Sequence, residues 1–203
     1  MLEKEKFCRF ILLKKLYFFF NISFIYFFTV STSAADLQKN LINKLTATST
    51  LTFNFKQTIS DKEEIGKCFI KYPLLMKCNY QNTKQKIIIS NGKTVAIIKN
   101  KIKKIYLYPI KSTPLFYILR KEEIIKLVRN NKPTKINSNI IEFKFSDNKN
   151  SNLKLFFDKS SLSFKGWETK DAYSNNVLFL INNLKINDPI LDEVFILPQE
   201  KDL

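Results

Sequence analysis

Short segments in which apolar and polar side chains alternate recur along most of this chain, and they limit its fold more than any other feature. Residues 51–56, Leu-Thr-Phe-Asn-Phe-Lys, alternate strictly, which is the pattern of a half-buried β-strand. Ten further segments are predicted as strands: 66–72, 75–81, 85–90, 94–99, 102–108, 141–145, 153–157, 162–169, 177–186 and 192–197. Strands in this number curl readily into an open or closed antiparallel barrel, so the sequence predicts one α+β domain.

Helical patterns interrupt the strands at two places. Residues 36–45 carry leucine at every fourth position, which is typical of an amphipathic helix. In the middle of the chain Thr113 is predicted as an N-cap and Pro114 as the first residue of an apolar helix of about two turns. Residues 121–130 predict a second helix, which ends before Pro133.

The apolar helix needs an explanation, because a sheet protein seldom requires one unless an apolar surface has to be covered. One side of this helix consists of Leu115, Phe116, Ile118 and Leu119. We interpret it as the cover of a lipid-binding cavity. An ordinary packed core beneath the helices is the alternative, and the pattern alone does not separate the two.

The first 35 residues have the pattern of an export signal. A basic stretch, residues 1–15, precedes an apolar run, residues 16–30, and small residues follow at 31–35. We expect cleavage after Ala34 or Ala35, which leaves residues 36–203 as a single soluble periplasmic domain. The alternative is that the segment is retained as an anchor, although its apolar run is shorter than the about 20 residues of a membrane span.

Cys68 and Cys78 remain in the exported chain and flank a predicted turn around Pro73. If a hairpin is centred on this proline, the two cysteines lie opposite each other on neighbouring strands. A disulfide is then possible in an oxidising compartment. Two unpaired cysteines packed in the core are the alternative.

The formal net charge of the chain is +16, of which residues 1–35 contribute +3. A basic surface suits nucleic acid, an anionic membrane or an acidic partner, or it simply keeps an aromatic-rich protein soluble. Lysine greatly outnumbers arginine and no nucleic-acid recognition motif is present, so we expect no nucleic-acid binding.

The residue inventory excludes most catalytic chemistry. The chain contains no histidine, which removes histidine-based triads, acid–base catalysis and metal sites. Its three glycines are too far apart for a phosphate-binding loop. We therefore predict that the protein is not an enzyme and has no metal, catalytic residue or cofactor.

Taken in order, the segments resemble the LolA family of periplasmic outer-membrane lipoprotein carriers. The resemblance rests on residues 51–58 (LTFNFKQT), Tyr72-Pro73 with its return strand 76–80, the turn 90–94 (SNGKT), Thr113-Pro114-Leu115, and residues 164–171 (FKGWETKD) and 192–198 (DEVFILP). It covers residues 36 to about 198. No single one of these motifs is decisive, but the ordered series together with an export signal is specific.

The resemblance implies a strongly curved, incomplete antiparallel β-barrel whose short helices form a lid over a hydrophobic cavity. It also implies a monomeric shuttle that takes acylated lipoproteins from an inner-membrane lipoprotein-releasing transporter to an outer-membrane receptor. A periplasmic binder of free lipid and an extracytoplasmic interaction module are the alternatives. We expect nine residues near the cavity: Phe53, Phe55, Met76, Tyr80, Leu115, Phe116, Ile118, Leu119 and Trp167.

Two positions depart from the family pattern. Family members usually carry arginine before the proline of the second hairpin, where it helps to hold the lid shut. Here Tyr72 occupies that position, so we predict it as the lid latch, and Lys71 should point to the opposite face of the sheet. Residues 172–176 also lack the glycine commonly found there.

Overall fold

The computed structural model describes residues 34–81, 85–146, 152–171 and 173–202. The predicted export signal therefore lies outside the described residues, except for Ala34 and Ala35, and so does Ala172 of the glycine-free loop. Helix α1, Ala34–Ala47, begins at the predicted cleavage site, and one compact unit extends from Gln38 onward. None of the helices in the described ranges is long and apolar enough to cross a membrane.

Eleven strands form one antiparallel sheet in the described part of the chain. They are β1 (Thr50–Ile59), β2 (Lys62–Lys71), β3 (Leu75–Tyr80), β4 (Lys86–Asn91), β5 (Thr94–Lys99), β6 (Lys104–Pro109), β7 (Lys135–Ile136), β8 (Ile140–Ser146), β9 (Asn152–Asp158), β10 (Phe164–Lys170) and β11 (Asn176–Ile186). The spatial order is β6-β5-β4-β3-β2-β1-β11-β10-β9-β8-β7. The sheet is open, with β6 and β7 at its two edges, and this confirms the predicted incomplete antiparallel architecture.

The tight turns follow the local sequence. Gly92 has a φ of +92° in the β4–β5 hairpin, a conformation that glycine adopts without strain, as the Asn91-Gly92 pair predicts. The Asn91 side chain accepts hydrogen bonds from the Lys93 and Thr94 amides at 3.0 and 2.9 Å. In the β2–β3 hairpin Cys68 pairs with Cys78, which is the register expected for a turn at Pro73.

The segment 110–134 connects one edge strand of the sheet, β6, to the other edge strand, β7. It contains a 3-10 turn (Ile110–Ser112), helix α2 (Leu115–Ile118) and helix α3 (Lys121–Asn130). Helices α1 and α3 are tied together at both ends. Lys121 donates hydrogen bonds to the Thr46 and Thr48 carbonyls at 3.1 and 2.9 Å, and Gln38 donates to the Asn131 carbonyl at 3.0 Å. We call the segment 110–134 the lid.

Three predictions about individual elements are wrong. Residues 192–197 are not a strand, because Asp192–Phe195 is a 3-10 turn. Helix α2 is one turn long instead of two. Thr113 is not its N-cap, since the Thr113 hydroxyl bonds backward to the Ile110 carbonyl at 2.9 Å, and Pro114 takes the N-cap position.

The two faces of the sheet differ in character. We call the face that carries Phe53 and Phe55 the inner face; both side chains are buried, with 1–2% exposed. The opposite, outer face carries the exposed Asn54 and Lys67 over its centre. Each of the three helices carries a leucine or isoleucine that is almost fully buried (Leu41, Ile118 and Ile124), so the helices cover the inner face.

A second, smaller apolar cluster lies on the outer face of β4 and β5. Ile89, Ala96 and Ile98 are buried there, and Leu197 of the C-terminal segment packs against them. Lys71 points to this outer face as predicted and holds the same segment, since its ammonium donates to Asp192 Oδ1 at 2.6 Å. The apolar residues near the C-terminus therefore cover the outer face without joining the sheet.

Candidate functional site

The residues predicted to line a cavity lie on the inner face and in the lid. Seven of them are between 0 and 7% exposed: Phe53, Phe55, Met76, Tyr80, Ile118, Leu119 and Trp167. Leu115 and Phe116 are half-buried. Phe116 packs against Tyr117, with ring centres 5.6 Å apart, and the Arg120 guanidinium lies 4.9 Å from its centre. The lid and helix α1 thus cover this part of the inner face.

Aromatic rings join the central strands of the inner face. Trp167 of β10 stacks on Phe179 of β11 with ring centres 4.0 Å apart, and Phe179 stacks on Phe55 of β1 at 4.7 Å. Phe55 then meets Tyr80 of β3 edge to face at 4.8 Å. Phe179 was not among the residues predicted to line the cavity, although its place in the alternation Val177–Phe179–Ile181 indicates an inward side chain.

Phe55 reaches Tyr80 across strand β2 only because Gly66 lies between them. A Cβ atom at Gly66 would lie 2.7 Å from the Phe55 ring and 2.2 Å from the Asn79 carbonyl oxygen. Both distances are shorter than real Cβ contacts. Glycine at this position therefore allows the aromatic contact to pass over the neighbouring strand.

Polar groups terminate the aromatic row at Tyr80. The Tyr80 hydroxyl donates a hydrogen bond of 2.5 Å to Gln57 Oε1, and the Lys86 ammonium lies 3.8 Å from the Tyr80 ring centre. Lys86 also forms an ion pair with Glu64. Burial, with a further contribution from the Glu64 carboxylate, raises the pKa of the Tyr80 phenol far above its ordinary value. Tyr80 therefore stays protonated and keeps this donor in place at neutral pH.

The inner face becomes more exposed toward strand β6. One cross-strand row runs in register through Phe53, Cys68, Cys78, Ile88, Ile97 and Tyr106. Its first three side chains are buried, Ile88 and Ile97 are half-buried, and Tyr106 is 38% exposed. The neighbouring row ends at Tyr108, which is 43% exposed. The apolar inner face thus opens to solvent at the edge from which the lid departs.

A disulfide joins Cys68 to Cys78 within this row, with the Cα atoms 4.1 Å apart. The bond links β2 to β3 in the buried part of this row, next to the half-buried Ile88. It cross-links the hairpin that also carries Tyr72 and Leu74.

The family of the chain follows from its sequence. The family model described as outer membrane lipoprotein carrier protein LolA matches residues 46–197, three quarters of the chain. The chain belongs to the LolA family. Proteins of this family are periplasmic and bind lipoproteins. They are carriers or binders rather than enzymes.

Solved structures with similar arrangements share little sequence with this LolA family member. An uncharacterized conserved protein from Thermus thermophilus has 7% identity and a TM-score of 0.49, over 82% of this chain and 96% of its own. A LolA superfamily protein from Nitrosomonas europaea has 9% identity and a TM-score of 0.40, over 81% and 97%. LprF from Mycobacterium bovis has 10% identity and a TM-score of 0.45, over 79% and 96%. No curated protein matches the chain.

The contact between hairpin and lid in this LolA family member is made by the backbone. The Leu74 amide donates a hydrogen bond of 2.8 Å to the Leu119 carbonyl, which follows helix α2. The Leu74 carbonyl in turn accepts a 2.6 Å hydrogen bond from the fully buried Ser90 hydroxyl. Ser90 thus fixes the peptide group between Leu74 and Leu75, next to the Pro73–Leu74 peptide group whose N–H holds the lid. Neither residue was singled out from the sequence, which shows no pattern for such a contact.

Tyr72, the predicted latch, lies two residues before this contact. Its own amide donates to the Ser49 carbonyl at 3.0 Å. Burial, with a contribution from Glu122 of helix α3, raises the pKa of the Tyr72 phenol far above its ordinary value. The hairpin therefore meets the lid through the Leu74 backbone, and the role of Tyr72 as a latch stays a prediction.

A groove of about 530 Å³ lies on the outer face, between the middle of the sheet and residues 188–194. The groove is mixed in polarity, because its walls combine apolar residues of the segment 190–194 with polar side chains of the sheet: Thr52, Asn54, Lys67 and Lys185. It is separate from the inner face and from the lid.

Proposed function

We propose that this protein is a periplasmic carrier that shields the acyl chains of lipoproteins on its inner face and moves them from the inner to the outer membrane. It would receive the lipoprotein from an inner-membrane releasing transporter and deliver it to an outer-membrane receptor. One observation carries the proposal: the inner-face rows pass from full burial at β1 to the exposed Tyr106 and Tyr108 at β6, beside the start of the lid. An acyl chain would enter along this direction.

The energetics of an acyl chain require such a shield. Each CH₂ group exposed to water costs about 0.8 kcal/mol, so ten of them cost about 8 kcal/mol. A lipoprotein anchor therefore does not cross the periplasm free in solution. A carrier must cover the chains and still release them to the next partner.

Competition between lid and cargo would meet both needs. With the lid closed, Ile118 and Leu119 are both 0% exposed and cover the inner face. Burial of such side chains stabilises the closed form by about 1.5–3 kcal/mol each. Acyl chains would displace them and recover a comparable burial energy, so the net binding energy would be smaller than the full value of chain burial.

The hydrogen bond from Leu74 to Leu119 suits this exchange. A single backbone hydrogen bond contributes about 0.5–1.5 kcal/mol, which is enough to favour the closed lid and small enough to be broken on loading. An arginine latch would make charge-assisted hydrogen bonds of about 1.5–3 kcal/mol instead. We expect this lid to open more readily than one held by arginine.

Cell complementation and lipid analysis test the proposal together. In a strain depleted of its own lipoprotein carrier, Leu115→Glu should fail to restore growth, because a carboxylate on the half-buried side of α2 opposes contact with acyl chains. Tyr117→Glu is the matched control, since Tyr117 lies on the same turn but is 40% exposed. Full complementation by Leu115→Glu would contradict the assignment of the lid.

Mass spectrometry of the protein isolated from the periplasm separates the alternatives. Co-purified acylated lipoprotein or its acyl-cysteine peptide supports a lipoprotein carrier. Free phospholipid alone supports a binder of free lipid. The absence of any lipid, together with no uptake of an apolar fluorescent probe, would exclude both functions and leave an interaction module.

A further inference from the structure

The turn between β5 and β6 projects an apolar side chain among lysines. Strand β5 ends at Lys99, a 3-10 turn covers Asn100–Ile102, and Lys103 adopts a φ of +51° before β6 begins. Ile102 is 54% exposed. We call residues 99–104 the basic tip; its charged residues are Lys99, Lys101, Lys103 and Lys104.

The exposed isoleucine is part of a larger apolar strip. Leu107 is 61% exposed, and Tyr106 and Tyr108 on the other face of β6 are 38 and 43% exposed. Four of the eleven exposed large apolar side chains in the described residues thus fall within the seven positions 102–108. Isolated exposed apolar residues are ordinary, but such a concentration marks an interaction surface.

The stretch of chain that contains this strip carries charge of one sign. Residues 65–121 contain thirteen lysine and arginine residues and no aspartate or glutamate. Among the described residues no ion pair joins Lys101, Lys103 or Lys104 to a carboxylate. Lys99 lies over the Tyr106 ring, with its ammonium 4.9 Å from the ring centre. The positive charge of the basic tip is therefore available to an anionic partner.

A bilayer with anionic headgroups matches this combination better than other polyanions do. Lysines near such a surface strengthen binding by about fivefold each. Tyrosine side chains are favoured at the level of the headgroups, and an exposed isoleucine gains by entering the acyl boundary. A nucleic-acid backbone would use the lysines but would leave Ile102 and Leu107 in water.

We propose that the basic tip docks the protein on anionic lipid bilayers, with Ile102 inserted between the headgroups. This inference goes beyond the proposed carrier function and does not depend on what the inner face binds. Strand β6 runs from the basic tip directly to the lid, six residues or roughly 20 Å away. Docking at the tip would bring the open edge of the inner face close to the membrane surface.

Vesicle flotation with the protein isolated from the periplasm tests the docking. Vesicles of phosphatidylcholine alone are compared with vesicles of equal parts phosphatidylcholine and phosphatidylglycerol, at low and high salt. We expect flotation with the anionic vesicles only, and its loss at high salt. Equal flotation with both kinds of vesicle, or none with either, would overturn the proposal.

Matched charge reversals locate the site. Lys101→Glu/Lys104→Glu should weaken partitioning into the anionic vesicles at least thirtyfold. Lys126→Glu/Lys132→Glu changes the net charge equally at exposed positions of helix α3 and the residues after it, and should weaken it much less. Equal losses in the two pairs would show a nonspecific effect of net charge and refute a docking site at the basic tip.

Two further measurements keep the result specific. Ile102→Ser should lower vesicle binding severalfold without changing its salt dependence, and an unchanged affinity would refute insertion of Ile102. Binding of single-stranded DNA that falls in the Lys101→Glu/Lys104→Glu variant while vesicle binding persists would also overturn the proposal. Uptake of an apolar probe should be the same in all tip variants, so failure of the carrier function remains distinguishable from failure of docking.

Discussion

Truncation of Ile118 tests whether the lid and an apolar ligand compete for the inner face. Ile118 is 0% exposed in the closed lid. Its replacement by alanine should lower the free energy of unfolding by about 2–5 kcal/mol, through the lost transfer energy of the side chain and the cavity that remains. The transfer part applies to any form in which the side chain is buried, whereas the cavity part penalises the closed lid alone.

If the lid and the ligand compete for the inner face, a substitution that destabilises the closed lid should raise the affinity for an apolar ligand. If about 1–2 kcal/mol of the loss belongs to the closed form alone, Ile118→Ala should bind an apolar fluorescent probe about five- to thirtyfold more tightly. Ile98→Ala is the matched control, because Ile98 is 1% exposed but belongs to the cluster on the outer face. It should lose similar stability in urea unfolding and leave probe affinity unchanged.

The sign of the change decides the outcome. Weaker probe binding by Ile118→Ala would mean that Ile118 contacts the ligand and does not compete with it. Equal affinities of the two variants would mean that closure of the lid is not linked to the inner face. Either result would refute the exchange between lid and cargo.

Three further predictions concern the framework of the inner face. Replacement of both Cys68 and Cys78 by serine should lower the free energy of unfolding by about 3 kcal/mol, since the disulfide closes a loop across a separation of 10 residues; equal urea midpoints for the variant and the oxidised protein would contradict this. Gly66→Ala should cost at least about 2 kcal/mol by displacing the Phe55 ring, and a near-native melting temperature would count against the crossing of β2. Hydrogen bonds from Ser160 and its neighbour lower the pKa of Asp158 to about 2, so its contribution to stability is complete above about pH 4 and disappears as the pH falls toward 2. Asp158→Asn should flatten the stability profile in that range, and a profile parallel to that of the parent in acid unfolding would exclude this role.

The alternating segments were sufficient to predict most of the sheet. Alternation reports which side chains are buried, and a proline or an Asn-Gly pair reports where the chain turns, so the β2–β3 and β4–β5 hairpins follow from local sequence. The family resemblance then supplied the open architecture and the place of the lid. No local pattern specifies which strands lie at the edges, because that depends on the pairing of β1 with β11 across the whole chain.

The errors have the same physical origin. Residues 192–197 end in four consecutive apolar residues, of which Phe195 and Leu197 are at least partly buried. Leu197 packs against the outer face, and no strand pairs with this segment in the described part of the chain. Strand β7 was not predicted, because it has only two residues and both are exposed. The sequence pattern indicates which side chains are buried more clearly than it indicates which segments form hydrogen bonds as strands.

The candidate site was predictable only in its apolar part. Phe53 and Phe55 could be placed on a common face by their spacing, and the lid helix by its unusual composition, whereas Trp167 was expected near the cavity from the family resemblance. The hydrogen bonds from Ser90 to Leu74 and from Leu74 to Leu119 involve three peptide groups, and a peptide group carries no residue-type signal. The latch predicted at Tyr72 stays a prediction, because the hydrogen bond between hairpin and lid is made by the Leu74 backbone.

The lid also connects the two edges of the open sheet. Because residues 110–134 begin at edge strand β6 and end at edge strand β7, the distance between these edges cannot change without tension or slack in the lid. A bulky ligand that moves the two edge strands apart would stretch the lid, whereas a narrow ligand would leave the lid relaxed. In the proposed carrier, the width of the cargo would thereby set the position of the lid, and a receptor that contacts only the lid could distinguish a loaded protein from an empty one.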